Sequence, residues 1–375
     1  MNRVSRAAIL VAERRIEVRD VPLPDAAAPG GILLKVEGCG MCGSDIGQYE
    51  GETVQAGLHG YPVIPGHETI GRIAELSEET SRLRGLKVGD RVAVHGTAPC
   101  GVCKACVAGG RCSQAFYHGF RSLDEGSGLW GGYSEWMELS PRTTLYPVDG
   151  DLPIEDALLF NPLAAGYDWV IRLGEFQVGQ SVLILGSGQR GLACVVAAVE
   201  AGASQIIVTG LARDDFKLDV ARKLGTHVTL IAEDNDVARA VMDATGGRGV
   251  DLAIDTTPTS FQPIKDAIAA VRAGGTIVLG GIKGYKPMPE FPVDIFLHKQ
   301  IRMIGALSST AWATQQAIRA VESRRLPLHL LHSHRFDLDG VEHAIHLLAG
   351  DIAGQAALHI SIIPGLNRAE QGAGL

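Results

Sequence analysis

Ser181-Val182-Leu183-Ile184-Leu185-Gly186-Ser187-Gly188-Gln189-Arg190-Gly191 is the stretch on which the fold turns. Its first five residues read as a buried strand, and Leu192 to Ala201 continues as an apolar helix. Between them lies G-x-G-x-x-G, in the strand–turn–helix context that a dinucleotide site requires. The glycines Gly186, Gly188 and Gly191 permit a tight turn and close approach of a pyrophosphate, whose negative charge the helix N-terminus favours. Gln189 and Arg190, inside the same turn, are candidate contacts to that group.

Outward from this turn, residues 156–300 alternate apolar strands with helical stretches, the pattern of a parallel α/β sheet. Gln205 to Thr209 is the next strand, followed by Gly210-Leu211-Ala212-Arg213. Val250 to Asp255, a helix over 261–272 and the run Gly274 to Gly281 supply further units. Toward the N-terminus the texture changes near residue 150. Short strands with Gly and Pro punctuation (Ile32–Val36, Thr69–Leu76, Gly85–Val94) predict a β-rich, irregular first domain.

A chain of 375 residues is long for one domain, and with 46% hydrophobic and 20% charged residues it buries a sizeable core. A net charge of −8 argues against nucleic acid or an anionic membrane as partner. Residues 1–30 hold several charges and no clean apolar core, so no signal peptide is expected, and no apolar run approaches a membrane span of about 20 residues. Seven cysteines, clustered at short spacing, suit metal binding in a reducing cytoplasm better than disulfides.

Two of those clusters carry chemistry. Cys42, in Cys42-Gly43-Ser44-Asp45, and His67-Glu68 offer a thiolate, an imidazole and a carboxylate, three ligand types that zinc accepts. Asp45 could fix the His67 tautomer, Glu68 could ligate or act from behind, and Ser44 is suited to passing a proton. Cys100, Cys103, Cys106 and Cys112 place four thiols within thirteen residues, matching a saturated structural zinc site with no open position. His329, His332 and His334 lack a nearby carboxylate or cysteine set and read as surface or interface histidines.

Taken together and in this order, these motifs resemble the zinc-containing medium-chain dehydrogenase/reductase family, which includes alcohol, sorbitol and threonine dehydrogenases. The resemblance spans nearly the whole chain. It implies a GroES-like catalytic domain over 1–155 and 304–375, and a Rossmann coenzyme domain with a doubly wound parallel sheet over 156–303. Gly131-Gly132-Tyr133-Ser134-Glu135-Trp136 matches the family's Gly-Gly-aromatic strand start, and the aromatic residues around it suggest a rather apolar substrate pocket. Thr256 and Leu279-Gly280-Gly281 become candidates for contact with the nicotinamide and its ribose. NAD-specific relatives carry Asp where this chain has Gly210. With Arg213 nearby, the balance leans slightly to NADP over NAD, although Asp214 and Asp215 could neutralise Arg213 or reach the ribose themselves.

Three departures stand out. The last gap of the cysteine cluster is five residues where relatives have seven, so the lobe is tighter or the site partly degenerate. The third zinc ligand of relatives falls at Asn161, a neutral amide that is a poor ligand beside thiolate and carboxylate. Either Glu68 then completes the catalytic zinc site with Cys42 and His67, or Asn161 serves weakly. The histidine that relays a proton in many relatives is replaced by Gly47, leaving ribose, water or a histidine such as His59 to follow Ser44. The function implied is hydride transfer between a secondary or aromatic alcohol, or its carbonyl, and a nicotinamide cofactor, in a cytoplasmic homodimer or homotetramer. The alternatives are a zinc-poor reductase of the same superfamily and a non-catalytic dinucleotide-binding protein.

Overall fold

Ser181–Leu185 is buried along its whole length, as five consecutive strand residues must be when helices cover both faces of a sheet. In the computed structural model, which describes residues 3–57 and 60–366, it belongs to a six-stranded sheet. The order is Val228–Ile231, Gln205–Gly210, Ser181–Leu185, Val250–Asp255, Val271–Leu279, Arg302–Gly305, and every pairing is parallel. The order reverses between 181–185 and 250–255, which makes the crevice at their C-terminal ends a topological switch point. Helix Gln189–Glu200 starts at Gly188 and buries Leu192 to Ala198. Helix Val237–Ala244 is capped by Asp236, whose side chain accepts from the Arg239 N–H. The helix expected over 261–272 spans Gln262–Ala270, because Val271 already pairs with Val250.

The chain forms two compact units: residues up to 159 together with those from 332 onward, and residues 160–331. The stretch 304–331, read from the sequence as part of the first domain, therefore packs in the second unit. Two observations explain this. Arg302–Gly305 is the edge strand of the six-stranded sheet. Just beyond it, Thr310 caps helix Ala311–Ser323 and donates its hydroxyl to Asp168 Oδ1 at 2.7 Å.

The first unit is built on the strand Ile32–Met41, central in a seven-stranded sheet. Glu68–Leu76 runs antiparallel along one edge of it. Trp136–Leu139 and His359–Ile362 share the other edge, at opposite ends of the strand. Ile32, Leu34, Val36, Ile73, Val92 and Met137 form one core layer, while Met41, Tyr133, Ile360, Val341 and Ile345 belong to another. Each such fully buried side chain contributes roughly 1.5–3 kcal/mol of burial free energy. Among the described residues, no helix is long and apolar enough to cross a membrane.

Candidate functional site

Gly40 on the central strand pairs with Glu68 on its antiparallel neighbour. That register brings the loop after Met41 and the loop before Glu68 to the same end of the sheet. Ligand atoms of Cys42, His67 and Glu68 consequently lie within 4.8 Å of one another, a span that one ion can bridge. Glu68 is fully buried and the other two are half-buried.

Asp45 organises this corner. It sits on the short helix Gly43–Tyr49 that Cys42 begins, and its Oδ2 accepts the Cys42 N–H at 2.7 Å. The same oxygen accepts the Tyr133 hydroxyl at 3.0 Å, while Oδ1 lies 3.5 Å from His67 Nδ1. Ser44 Oγ is 3.4 Å from the other ring nitrogen, His67 Nε2. Burial opposes charge on His67, yet Asp45 and then Cys42 outweigh it and hold the imidazole well above its ordinary value. Burial, with Asp45 beside it, pushes the Tyr133 phenol far up. A thiolate, an imidazole and a carboxylate gathered within 4.8 Å of one another fit zinc. Phe120 lies over the same corner, its ring centroid 5.6 Å from that of His67. His59 lies outside the described residues.

The second cysteine group also converges, with its four sulfurs within 4.8 Å of one another. The shorter gap is closed by a turn in which Gly109 takes a φ of +72°. Backbone N–H groups already point at the sulfurs: Cys103 N–H to Cys100 Sγ at 3.3 Å, Cys106 N–H to Cys103 Sγ at 3.4 Å, and Gln114 N–H to Cys112 Sγ at 3.4 Å. Hydrogen bonds from Val102 and Cys103 draw the Cys100 thiol down to about 6. Donors aimed at thiolates, with four sulfurs in place, fit a closed zinc site.

In the second unit, Gly186 has a φ of +105°, and a Cβ on Gly191 would stand 1.9 Å from Gly186 O. Neither position admits a side chain. Ser187, also in the turn, is 2% exposed, and its buried Oγ has no hydrogen-bond partner among the described residues. An orphaned hydroxyl at a helix N-terminus fits an incoming phosphate. Gly210 carries no carboxylate, and a Cβ there would press on Ser187 Oγ at 2.8 Å. Asp214 does not turn to Arg213: it accepts the Leu211 N–H and pairs with Lys217 at 2.8 Å. Arg213 is exposed. The Thr256 hydroxyl donates to Leu185 O at 2.9 Å, tying two strand ends at the switch point. Gly280 and Gly281 are packed tightly against Trp169 and Thr257 O, beyond Leu279 at the end of its strand.

Two features escape sequence reading. Arg190 sends its guanidinium to Asn161, donating to the backbone O and to Oδ1, both at 2.9 Å. The only oxygen Asn161 could offer a metal from its side chain is thereby engaged by a cation. Lys283 makes a buried ion pair with Asp255 at 2.7 Å and bonds the Thr257 hydroxyl at 3.0 Å, bracing the end of a central strand.

The comparisons agree with this architecture. Residues 28–150 match the model of the alcohol dehydrogenase GroES-like domain, and residues 191–323 that of the zinc-binding dehydrogenase. A Mycobacterium tuberculosis protein described as a probable alcohol dehydrogenase is 37% identical, over 96% of this chain and 99% of its own. A Bacillus subtilis sorbitol dehydrogenase is 32% identical over 76% of this chain and 77% of its own. Among solved structures, an alcohol dehydrogenase of Thermotoga maritima superposes with a TM-score of 0.85 at 26% identity, covering 96% of this chain and all of that one. A Sinorhizobium meliloti protein described as a zinc-binding dehydrogenase, solved with NADP, gives 0.84 at 26% identity, with coverage of 96% and 100%. The convergence of Cys42, His67 and Glu68, the closed Cys₄ lobe, the glycine turn at a switch point and these matches together show that the chain belongs to the zinc-containing medium-chain dehydrogenase family.

Proposed function

We propose that the protein is a zinc-dependent NAD(P) alcohol dehydrogenase acting on a secondary or aromatic alcohol, or in reverse on its carbonyl. The observation that carries this reading is the meeting of Cys42, His67 and Glu68 within 4.8 Å. We assign the metal to these three residues, and not to Asn161, because Arg190 already holds the Asn161 side-chain oxygen. When bound there, zinc supplies Lewis-acid polarisation of the substrate oxygen, and the nicotinamide supplies the hydride acceptor or donor.

The chain's own residues do the rest. Asp45 faces His67 Nδ1, which directs the Nε2 lone pair outward to the metal. The Ser44 hydroxyl, 3.4 Å from that nitrogen, would relay the substrate proton, accepting it as its own passes to water or the cofactor ribose, with the reverse on reduction. Phe120 provides an apolar wall that favours an aromatic or branched substrate. Gly186, Gly188, Gln189 and Gly191 hold the pyrophosphate, while Thr256 and Leu279 to Gly281 approach the nicotinamide and its ribose. NADP is the preferred cofactor, because Asp214 is engaged by Leu211 and Lys217 while Arg213 stands exposed. Cys100, Cys103, Cys106 and Cys112 hold a structural zinc. A cytoplasmic homodimer or homotetramer is the proposed assembly, with the edge strand Arg302–Gly305 and the exposed Ile295 and Leu297 as candidate interface.

The test joins elemental analysis to a hydride-transfer assay. About two zincs per chain and alcohol-dependent change in nicotinamide absorbance, with a higher kcat/KM for NADP than for NAD, are expected. One zinc and no turnover with any alcohol or ketone would move the metal-poor reductase ahead.

A further inference from the structure

Gly131, Gly132 and Tyr133 lie flat against the loop that carries His67 and Glu68. A Cβ on Gly131 would stand 1.9 Å from Ile64 O, and one on Gly132 would stand 2.1 Å from Thr69 Oγ1. The Gly132 N–H donates to Gly66 O at 2.9 Å and the Tyr133 N–H to Pro65 O at 3.0 Å. The Tyr133 side chain is fully buried, and its ring fills the space that a side chain on Gly66 would need. From that anchored backbone its hydroxyl crosses to Asp45 Oδ2, 88 residues away in sequence and 3.0 Å away in space.

We propose that Tyr133 is a positioning residue for the metal corner, acting through Asp45 on Cys42 and His67. The proposal rests on the reading of that corner as a zinc site. Asp45 Oδ2 receives two donors, the Tyr133 hydroxyl and the Cys42 N–H. Rotating the carboxylate would break charge-assisted hydrogen bonds in a buried setting, so Oδ1 stays opposite His67 Nδ1. One carboxylate therefore orients the backbone of one ligand and the ring of another, and the phenol holds that carboxylate still. Without the hydroxyl, Oδ2 keeps only the Cys42 N–H, and the carboxylate can swing about that bond. The cost falls on ligand geometry, and loss of such outer partners lowers metal affinity about 10–100-fold.

The experiment uses the full chain with cobalt(II) as the probe metal, plus chelator competition with zinc. In Tyr133→Phe the Cys42 site should bind about tenfold more weakly. Its cobalt d–d bands should shift, while the Cys₄ site stays loaded and NADPH affinity is unchanged. Tyr49→Phe is the control, a buried tyrosine whose hydroxyl donates to Glu342 at 2.8 Å. It should lower stability and leave the cobalt spectrum alone. A Tyr133→Phe protein that loses stability but keeps the wild-type spectrum and metal affinity overturns the proposal. Should that variant not fold, Asp45→Asn keeps the volume and weakens the acceptor. It is expected to reproduce the spectral shift, and an unaltered spectrum overturns the proposal as well. A wild-type chain that takes up no cobalt at Cys42 defeats the zinc reading itself, which separates the two failures.

Discussion

Cys100, Cys103, Cys106 and Cys112 meet inside one thirteen-residue loop, whereas Cys42, His67 and Glu68 meet only because Gly40 pairs with Glu68 across two strands. The loop supplies four thiols and its own N–H donors, so it closes on an ion with local chain alone. The strand-built corner supplies three unlike donors, and an ion held by three ligands would keep a fourth position open. A local, saturated site contributes stability and has nowhere for a substrate to bind. A site held by the sheet through the three proposed ligands would keep an open position, with the Ser44 hydroxyl as its proposed proton path. The same element serves two ends, and the difference lies in how much of the fold each site draws on.

Removing one sulfur from each site should separate the two most strongly. Cys42→Ser should abolish turnover by at least about 10³-fold, since loss of the metal removes the polarising charge at the reacting oxygen. Its melting temperature should fall little. Cys103→Ser should do the opposite, lowering the melting temperature by on the order of 10 °C while the folded fraction keeps most of its kcat. Steady-state kinetics beside calorimetry, with metal counted in each variant, reads both. If Cys103→Ser also silences the folded enzyme, the two sites are not separable in this way.

A pair of glycines sharpens the contrast. Gly66, next to His67, has a φ of +92°, and a Cβ there would sit 2.7 Å from the Tyr133 ring and 2.9 Å from its backbone nitrogen. Gly109, in the cysteine lobe, has a φ of +72° and nothing within 4 Å of the Cβ position. Alanine at either position bears a backbone strain of roughly 1–2 kcal/mol. Only Gly66→Ala adds overpacking, another 1–3 kcal/mol or so. Denaturant titration should show Gly109→Ala mildly destabilised and fully metallated. Gly66→Ala should lose several kcal/mol in total, and its Cys42 metal with it. Equal losses in the two variants would mean that the loop before His67 yields freely.

What the sequence reveals follows the same division. The strand, glycine turn and helix at 181–200 are consecutive, and so is the cysteine lobe, so periodicity and spacing expose them. The pairing of Cys42 with His67-Glu68 is less local, and the sequence points to it because each half carries a ligand type and a glycine. Tyr133 on Asp45, Arg190 on Asn161 and Lys283 on Asp255 were not visible. Each joins residues that sequence separation keeps apart, and a role read for one partner does not reveal the other. Arg190 is the instructive case: inside a phosphate-binding turn it reads as a cofactor contact, while its guanidinium is directed to Asn161. The side chain of Asp214 was one of two open choices, and a neighbouring N–H and lysine, not Arg213, decided it. The place of residues 304–331 was set by an edge strand and a threonine cap, which composition does not reveal.

The segment 116–120 joins the two sites, and it carries the smallest of the expected effects. Phe116 pairs with Ala98 beside the cysteine lobe, and Phe120 reaches the His67 ring. Between them His118 is fully buried, with Nε2 2.8 Å from the Thr143 hydroxyl, and burial holds its imidazole down at about 4. A histidine depressed in the folded state is neutral there while the unfolded chain already binds a proton near pH 6.5. Its contribution is therefore whole above pH 6.5 and is lost as pH falls from 6.5 toward 4, up to about 3 kcal/mol. Protonation of the zinc ligands acts over an overlapping range, but it acts equally on wild type and on His118→Gln. The difference between their stability–pH slopes isolates the histidine. His118→Gln should cost about 1 kcal/mol at pH 7.5 through the altered hydrogen bond, then lose less than wild type on going to pH 5. Parallel slopes would show that His118 takes up its proton without disturbing the strip, and that the two metal sites are not linked through it.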